Sequence, residues 1–333
     1  MTSAFTAKVH RIQLPRPISW SLEPPWENVD LAAFGLQLLS PWTEWEDDEQ
    51  SEDIGPAAYR SSEGATLFLS RTLVLRGAQL PRHPQELLVR LAQRLRFVTG
   101  QVSVPRTFVA WSYADPECPE WPLPTPRASR SMLNPLHFGA PLTAELCREA
   151  GRALDVPPAF LFLADAVEAG NEQDHTRAVL YSALAAEMAS FMRVDELSAL
   201  ALAAGEDTRF RVTQAGGATR DEVLDSLRRA AKNKADLLLH EIPLYLSRRS
   251  LMRDDPVLWE DWTRLRNTRN RLAHQGSVDA NGDGRLVPLT SEGAGSALET
   301  AVRIFEWWGL PAERFLATTR RDDASDDLGF ISP

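Results

Sequence analysis

From residue 143 to residue 318 the chain reads as a succession of one-sided helices, and this feature most constrains what it can fold into. TAELCREAGRAL (143–154) and PPAFLFLADAVEAG (157–170) carry apolar stripes at helical spacing. Asp174 predicts an N-cap for HTRAVLYSALAAEMASFMR, in which Leu180, Leu184, Met188 and Phe191 recur at helical spacing. Thr219 and Glu222 have the spacing of a capping box, and Pro243 is expected to end or bend the helix there. Asp255 and Pro256 predict the start of a long helix whose inner stripe is Leu258, Trp262, Leu265 and Leu272, with Gly276 ending it. Ser296 and Glu299 repeat the capping spacing for a helix ending at Gly309, and PAERFLATT adds a last short one. Helices with one apolar face each, joined by short or moderate loops, can bury those faces only against one another. The region therefore predicts an all-α bundle over 143–318.

Residues 1–135 are different. KVHRIQLPRPISW (8–20), ATLFLSRTLVLRG (65–77) and QVSVPRTFVAWSY (101–113) are rich in β-branched and aromatic residues and read as extended, with Pro105 arguing for an edge or a bulge. QELLVRLAQRLRFV (85–98) predicts a lone helix. EWEDDEQSED (44–53) is too charged to pack, and the Pro-rich run 116–131 resists both helix and central strand. The expected class is α+β: an N-terminal β-containing domain for target or trigger recognition, then the bundle, then a loose acidic tail over 319–333. Trp20, Trp26, Trp42, Trp45, Trp111 and Trp121 in the first part serve ordinary core and edge packing more readily than a ligand surface.

The chain has 36 Lys+Arg against 46 Asp+Glu, a net charge of −10, which excludes a uniformly basic coat for duplex binding. The two cysteines, Cys118 and Cys147, are too few for a disulfide scaffold or a thiolate zinc cluster, and Cys147 lies on an apolar-striped helix that reads as core. MTSAFTAKVHRIQ lacks the apolar core of a signal peptide, and no stretch reaches eighteen apolar residues. A cytoplasmic protein with no membrane partner is expected.

Chemistry concentrates at the end of the helix predicted over 256–274. Arg266, Asn270 and His274 are spaced i, i+4, i+8 and share a face, while Arg269 lies beside Asn270 and one turn beyond Arg266. Histidine gives and takes protons near neutrality. Arginine offers a fixed fork of donors suited to phosphate oxygens, and asparagine orients either group without adding charge. This inventory suits attack by a ribose hydroxyl on its own phosphodiester without a metal or other cofactor. Capping of the helix end by His274 against the C-terminal dipole is the competing structural role. Residues 228–275 hold eleven Lys+Arg and six Asp+Glu, a local positive surplus inside an acidic chain. Arg264, Arg266, Arg271, Lys232 and Lys234 are the RNA-binding candidates within it.

R-N-x-x-x-H, present as Arg269 to His274 and followed by Gly276, resembles the signature of the HEPN superfamily. Many members of that superfamily are metal-independent endoribonucleases of toxin–antitoxin and antiviral-defence systems. The resemblance implies a helical bundle that dimerises, with two Arg/His motifs in one composite cleft. It implies cleavage of RNA to a cyclic phosphate and a free 5′ hydroxyl. Arg269 would position or stabilise the scissile phosphate, His274 would act as acid/base or position the ribose hydroxyl, and Asn270 would orient the pair. AVLYSALAAEMASF resembles the early bundle helix of such proteins, with Glu187 as its acidic residue. Glu187 interrupts an apolar face, where a carboxylate is costly unless paired, and Arg269 is a candidate partner. An antitoxin or regulatory partner is a further implication. Some relatives bind RNA, nucleotides or proteins without cleaving, so a non-catalytic module and a purely structural dimer stand as alternatives.

Other motifs are weaker. DANGDG (279–284) opens like a calcium loop, but its twelfth position is Thr290 where a bidentate Glu is required. GAGS (293–296) lacks the strand of a dinucleotide loop. Asp174 and His175 sit at a helix start, where Asp is an ordinary cap. Adjacent Trp307 and Trp308 point about 100° apart, which predicts one in the core and one at a contact surface.

Overall fold

A computed structural model describes residues 8–21, 28–39, 57–60, 66–77, 84–101, 141–203, 236–275 and 286–312, with positions 222, 226, 229, 230 and 315. The chain forms two compact units: residues 1–157 with 314–333, and residues 158–313. The class is α+β.

The first unit holds β1 (Lys8–Ser21), β2 (Val29–Leu31), β3 (Leu36–Leu38), β4 (Ala57–Arg60) and β5 (Thr66–Gly77), with α1 (Pro84–Thr99) and α2 (Ala144–Ala150). The sheet order is β1-β5-β3-β2, and β4 also pairs with β5. All these pairings are antiparallel. The register of β1 on β5 slips between Gln13 and Ile18. Pro15 and Pro17 lie in that gap, and neither has an N–H to give the ladder. Gly35, at φ 63, closes the short turn between β2 and β3.

Ile18, Trp20, Leu73 and Leu75 from the sheet pack with Leu88, Leu91, Ala92, Leu95 and Val98, the one-sided stripe of α1. Cys147 and Ala150 of α2 belong to this same core, as does Leu142. From sequence alone, 143–154 groups with the bundle, because an amphipathic helix does not announce which surface will cover it. Burial pushes the Cys147 thiol pKa well up. Arg94 is buried, and its guanidinium donates to the carbonyls of Ala150, Glu149 and Asp155 at 3.2, 3.0 and 3.3 Å. It thereby satisfies acceptors at the C-terminal end of α2. The stretches 44–53, 102–113 and 116–131 and the tail 319–333 lie outside the described residues.

The second unit is helical: α3 (Pro158–Asn171), α4 (His175–Ala203), α5 (Asp236–Leu239), α6 (Glu241–Ser247), α7 (Leu251–Asp254), α8 (Pro256–Gln275) and α9 (Ser291–Trp307). α4 touches α3, α5, α6, α8 and α9. Its most enclosed side chains are small: Ala183, Ala185, Ala186 and Ala189 are fully buried. Ser182, Ser190 and Ser198 are buried too, each donating to a carbonyl four residues back at 2.8, 2.8 and 2.6 Å. Leu180, Leu184, Met188 and Phe191, the stripe expected in the core, are only half-buried. A helix enclosed on several sides uses small residues for close approach, so the largest apolar residues need not mark its deepest face.

Asp174 and Asp255 cap as expected. Arg177 N donates to Asp174 Oδ1 at 3.0 Å, and Leu258 N to Asp255 Oδ1 at 2.9 Å. Leu258, Trp262, Leu265 and Leu272 are all buried. Pro243 does not end its helix; it lies in the first turn of α6, where no N–H is needed. The break falls upstream at His240, with φ −123 and ψ −75. α9 starts at Ser291 and not at Ser296, because Thr290 accepts from Gly293 N and caps it. Gly293 packs so tightly on Pro288 that an added Cβ would lie 1.9 Å from the Pro288 carbonyl oxygen. Trp308 is buried and donates to Ser190 Oγ at 3.1 Å. Trp307 donates to Asp254 Oδ2 at 3.0 Å and lies under the Arg249 guanidinium.

Candidate functional site

α8 is nucleated at Asp255 and runs for 20 residues, so its far end lies about 30 Å from its cap. Arg266, Arg269, Asn270, Arg271 and His274 occupy that far half. Thr268 is buried and ties this part of the helix down: its Oγ1 donates to Arg264 O at 2.8 Å and accepts from Val287 N at 2.7 Å.

Glu187 comes from the middle of α4, on its enclosed face, and is buried. Arg269 Nη2 donates to Glu187 Oε2, and Arg269 Nη1 donates to Asn270 Oδ1 at 2.7 Å. The two charged side chains are 9% and 25% exposed, so the pair is shielded but not sealed. Pairing is what permits a carboxylate at this depth. Glu187 Oε1 and Arg269 Nε are buried and make no hydrogen bond among the described residues. The cluster thus holds one fork of donors in a fixed orientation and keeps spare donor and acceptor capacity.

His274 is exposed in the last turn of α8. Five residues separate it from Arg269, about 140° round the helix. Among the described residues it makes no hydrogen bond or ion pair, so the structure joins Glu187, Arg269 and Asn270 and does not join His274 to them.

The RNA-binding candidates divide. Arg266 pairs with Asp236 of α5, and its Nη2 donates to Asn267 Oδ1 at 3.4 Å. Arg264 pairs with Asp261 on the surface. Arg271 is half-buried and has no ion-pair partner among the described residues. Lys232 and Lys234 lie outside the described residues. Arg249 adds a further pair, with Asp254 at 3.5 Å. Arg249, Arg264 and Arg266 are thus opposed by carboxylates of the same stretch, and Arg269 by Glu187 from outside it.

Asp236 is the residue that sequence reasoning missed. It is separated from Arg266 by a helix break, two further helices and a cap, and no spacing rule connects them. Among the described residues no group of His, Cys, Asp and Glu could hold a metal ion, and no helix is long and apolar enough to cross a membrane. The positions 279–285 of the calcium-like loop lie outside the described residues, while Thr290 serves as the cap of α9. No family model, curated protein or solved structure matches the chain.

Proposed function

We propose that the helical unit is HEPN-like and that the protein is a metal-independent endoribonuclease acting in a toxin or antiviral-defence setting. The observation that carries this reading is the Glu187–Arg269–Asn270 cluster at the end of α8, with His274 exposed in the same last turns. In the proposed reaction the ribose 2′ oxygen attacks the adjacent phosphorus. The O2′–P bond forms, the P–O5′ bond breaks, and a cyclic phosphate and a 5′ hydroxyl result. His274 accepts the 2′ proton, and the His274 of a second copy returns one to the leaving 5′ oxygen. Arg269, held by Glu187 and Asn270, offers its remaining N–H to the charge that builds on the phosphoryl oxygens. RNA is the partner, the active species is a homodimer formed through the helical unit, and the N-terminal unit selects the target or receives a trigger.

The test is cleavage of RNA pools in EDTA by wild type and by His274→Ala, with analysis of product ends. Wild type should yield cyclic phosphate and 5′ hydroxyl termini, and the variant should fold and yield none. Equal cleavage by the two proteins would sink the reading. A non-catalytic RNA-binding module is the second reading, favoured by the absence of any hydrogen bond or ion pair joining His274 to the Glu187–Arg269–Asn270 cluster among the described residues. It predicts saturable RNA binding with no cleaved product.

A further inference from the structure

We infer that Asp236 is a positioning residue for Arg269, acting through Arg266. The inference rests on the reading of Arg269 as the phosphate-facing group, and it removes Arg266 from the set of RNA contacts. Arg266 and Arg269 stand three residues apart on α8, about 4.5 Å along its axis and about 60° apart in azimuth. Each meets a carboxylate from a different element: Glu187 in the middle of α4, Asp236 at the first residue of α5. Both guanidiniums are mostly shielded, at 19% and 25% exposure, while Asp236 itself is 39% exposed and meets Arg266 from the solvent side. The buried stripe of α8 and the Val287 N–Thr268 Oγ1 bond hold the apolar side of the helix. The two carboxylates add a restraint on its polar side, on neighbouring flanks. The azimuth of α8 in turn sets how the Arg269 fork meets Glu187 of α4, while Asn270 travels with Arg269 on the same helix. The two pairs also cancel in charge, so Arg266 is neutralised by Asp236 and offers no free cation to RNA.

The experiment uses the full-length protein and the variants Asp236→Asn, Asp236→Glu and Arg266→Gln. Cleavage kinetics should show kcat lowered about tenfold or more in Asp236→Asn with KM unchanged, and partly restored in Asp236→Glu. A loss of folded protein alone would lower the active fraction and leave the Glu variant no better placed than the Asn variant. An Arg266 that contacted RNA would instead raise KM in Arg266→Gln and flatten the salt dependence of binding by about one phosphate contact. That result would overturn the inference.

A second measurement does not depend on catalysis. Thermal melts of Glu187→Gln, Arg269→Gln and their double variant give the non-additivity of that pair, in the wild-type and the Asp236→Asn backgrounds. The non-additivity should fall by about half or more without Asp236. An unchanged value would overturn the inference whatever the nuclease result. If wild type fails to cleave RNA while the non-additivity falls, the nuclease reading fails and the positioning of Arg269 by Asp236 stands.

Discussion

Glu187 of α4 receives the Nη2 of Arg269 of α8 across 82 residues of sequence, and among the described residues the pair is the deepest charged contact between two long helices of the second unit. Removing one member leaves the other charge uncompensated. A wholly buried pair broken in this way costs about 3–5 kcal/mol, and the quarter exposure of Arg269 reduces that to about 1–3 kcal/mol. Glu187→Gln should therefore lower stability in urea by that amount. The double variant with Arg269→Gln should cost less than the sum of the two single changes. Strict additivity would show the contact to be energetically idle.

Arg94 predicts an effect confined to the first unit. Arg94→Met keeps the apolar stem but takes the donor from the buried carbonyl of Ala150 and from that of Asp155, while Glu149 O keeps the Arg152 N–H. A stranded buried acceptor costs about 1–3 kcal/mol, and a loss of about that size is expected. Hydrogen exchange should accelerate at the amides of α2 and not at those of α8. Equal acceleration in both would refute the assignment.

The two glycines at the start of α9 should respond in opposite directions. Gly293→Ala drives a methyl against the Pro288 carbonyl and should destabilise by about 1–3 kcal/mol. Gly295→Ala meets nothing within 4 Å, and helix propensity should stabilise it by about 0.5–1 kcal/mol. Thermal melts of the two variants decide the point, and the same sign for both would contradict the packing described.

Cys147 carries a pH dependence. Burial raises its thiol pKa, so the folded chain keeps the proton where the unfolded chain releases it, from about pH 8.5 upward. Its protonated thiol thus favours folding below that pH, and this contribution declines as pH rises further. In a Cys118→Ser background, maleimide should label Cys147 only on unfolding, and Cys147→Ala should flatten the alkaline fall in stability. Rapid labelling of the folded protein would show that the thiol is reachable.

Features set by local chemistry were legible in the sequence. Asp174 and Asp255 announced their helices because a cap is a contact between near neighbours. The β-branched and aromatic residues of 8–20 marked an extended segment, and the register slip at Pro15 and Pro17 appeared only in the structure. The start of α9 was illegible because Gly293 lowers helix propensity, and only its fit against Pro288 explains its place inside a helix. The membership of α2 in the first core and the half-burial of Leu180, Leu184, Met188 and Phe191 depend on which surfaces arrive from elsewhere. At the site, Arg269, Asn270 and His274 lie within one motif and could be read together. Glu187 was found as a carboxylate out of place on an apolar face. Asp236 was not found, since an acidic residue at a helix start needs no further explanation.

The alanine and serine face of α4 has a consequence for how the second unit comes apart. Its amides from Ala183 to Ser190 lie beneath neighbours on several sides, and its buried hydroxyls are satisfied within the helix itself. No local breathing of one flanking helix bares them all. Their deuterium uptake should track the opening of the whole unit, and the slowest amides of the protein should cluster around the one buried carboxylate of that helix, Glu187.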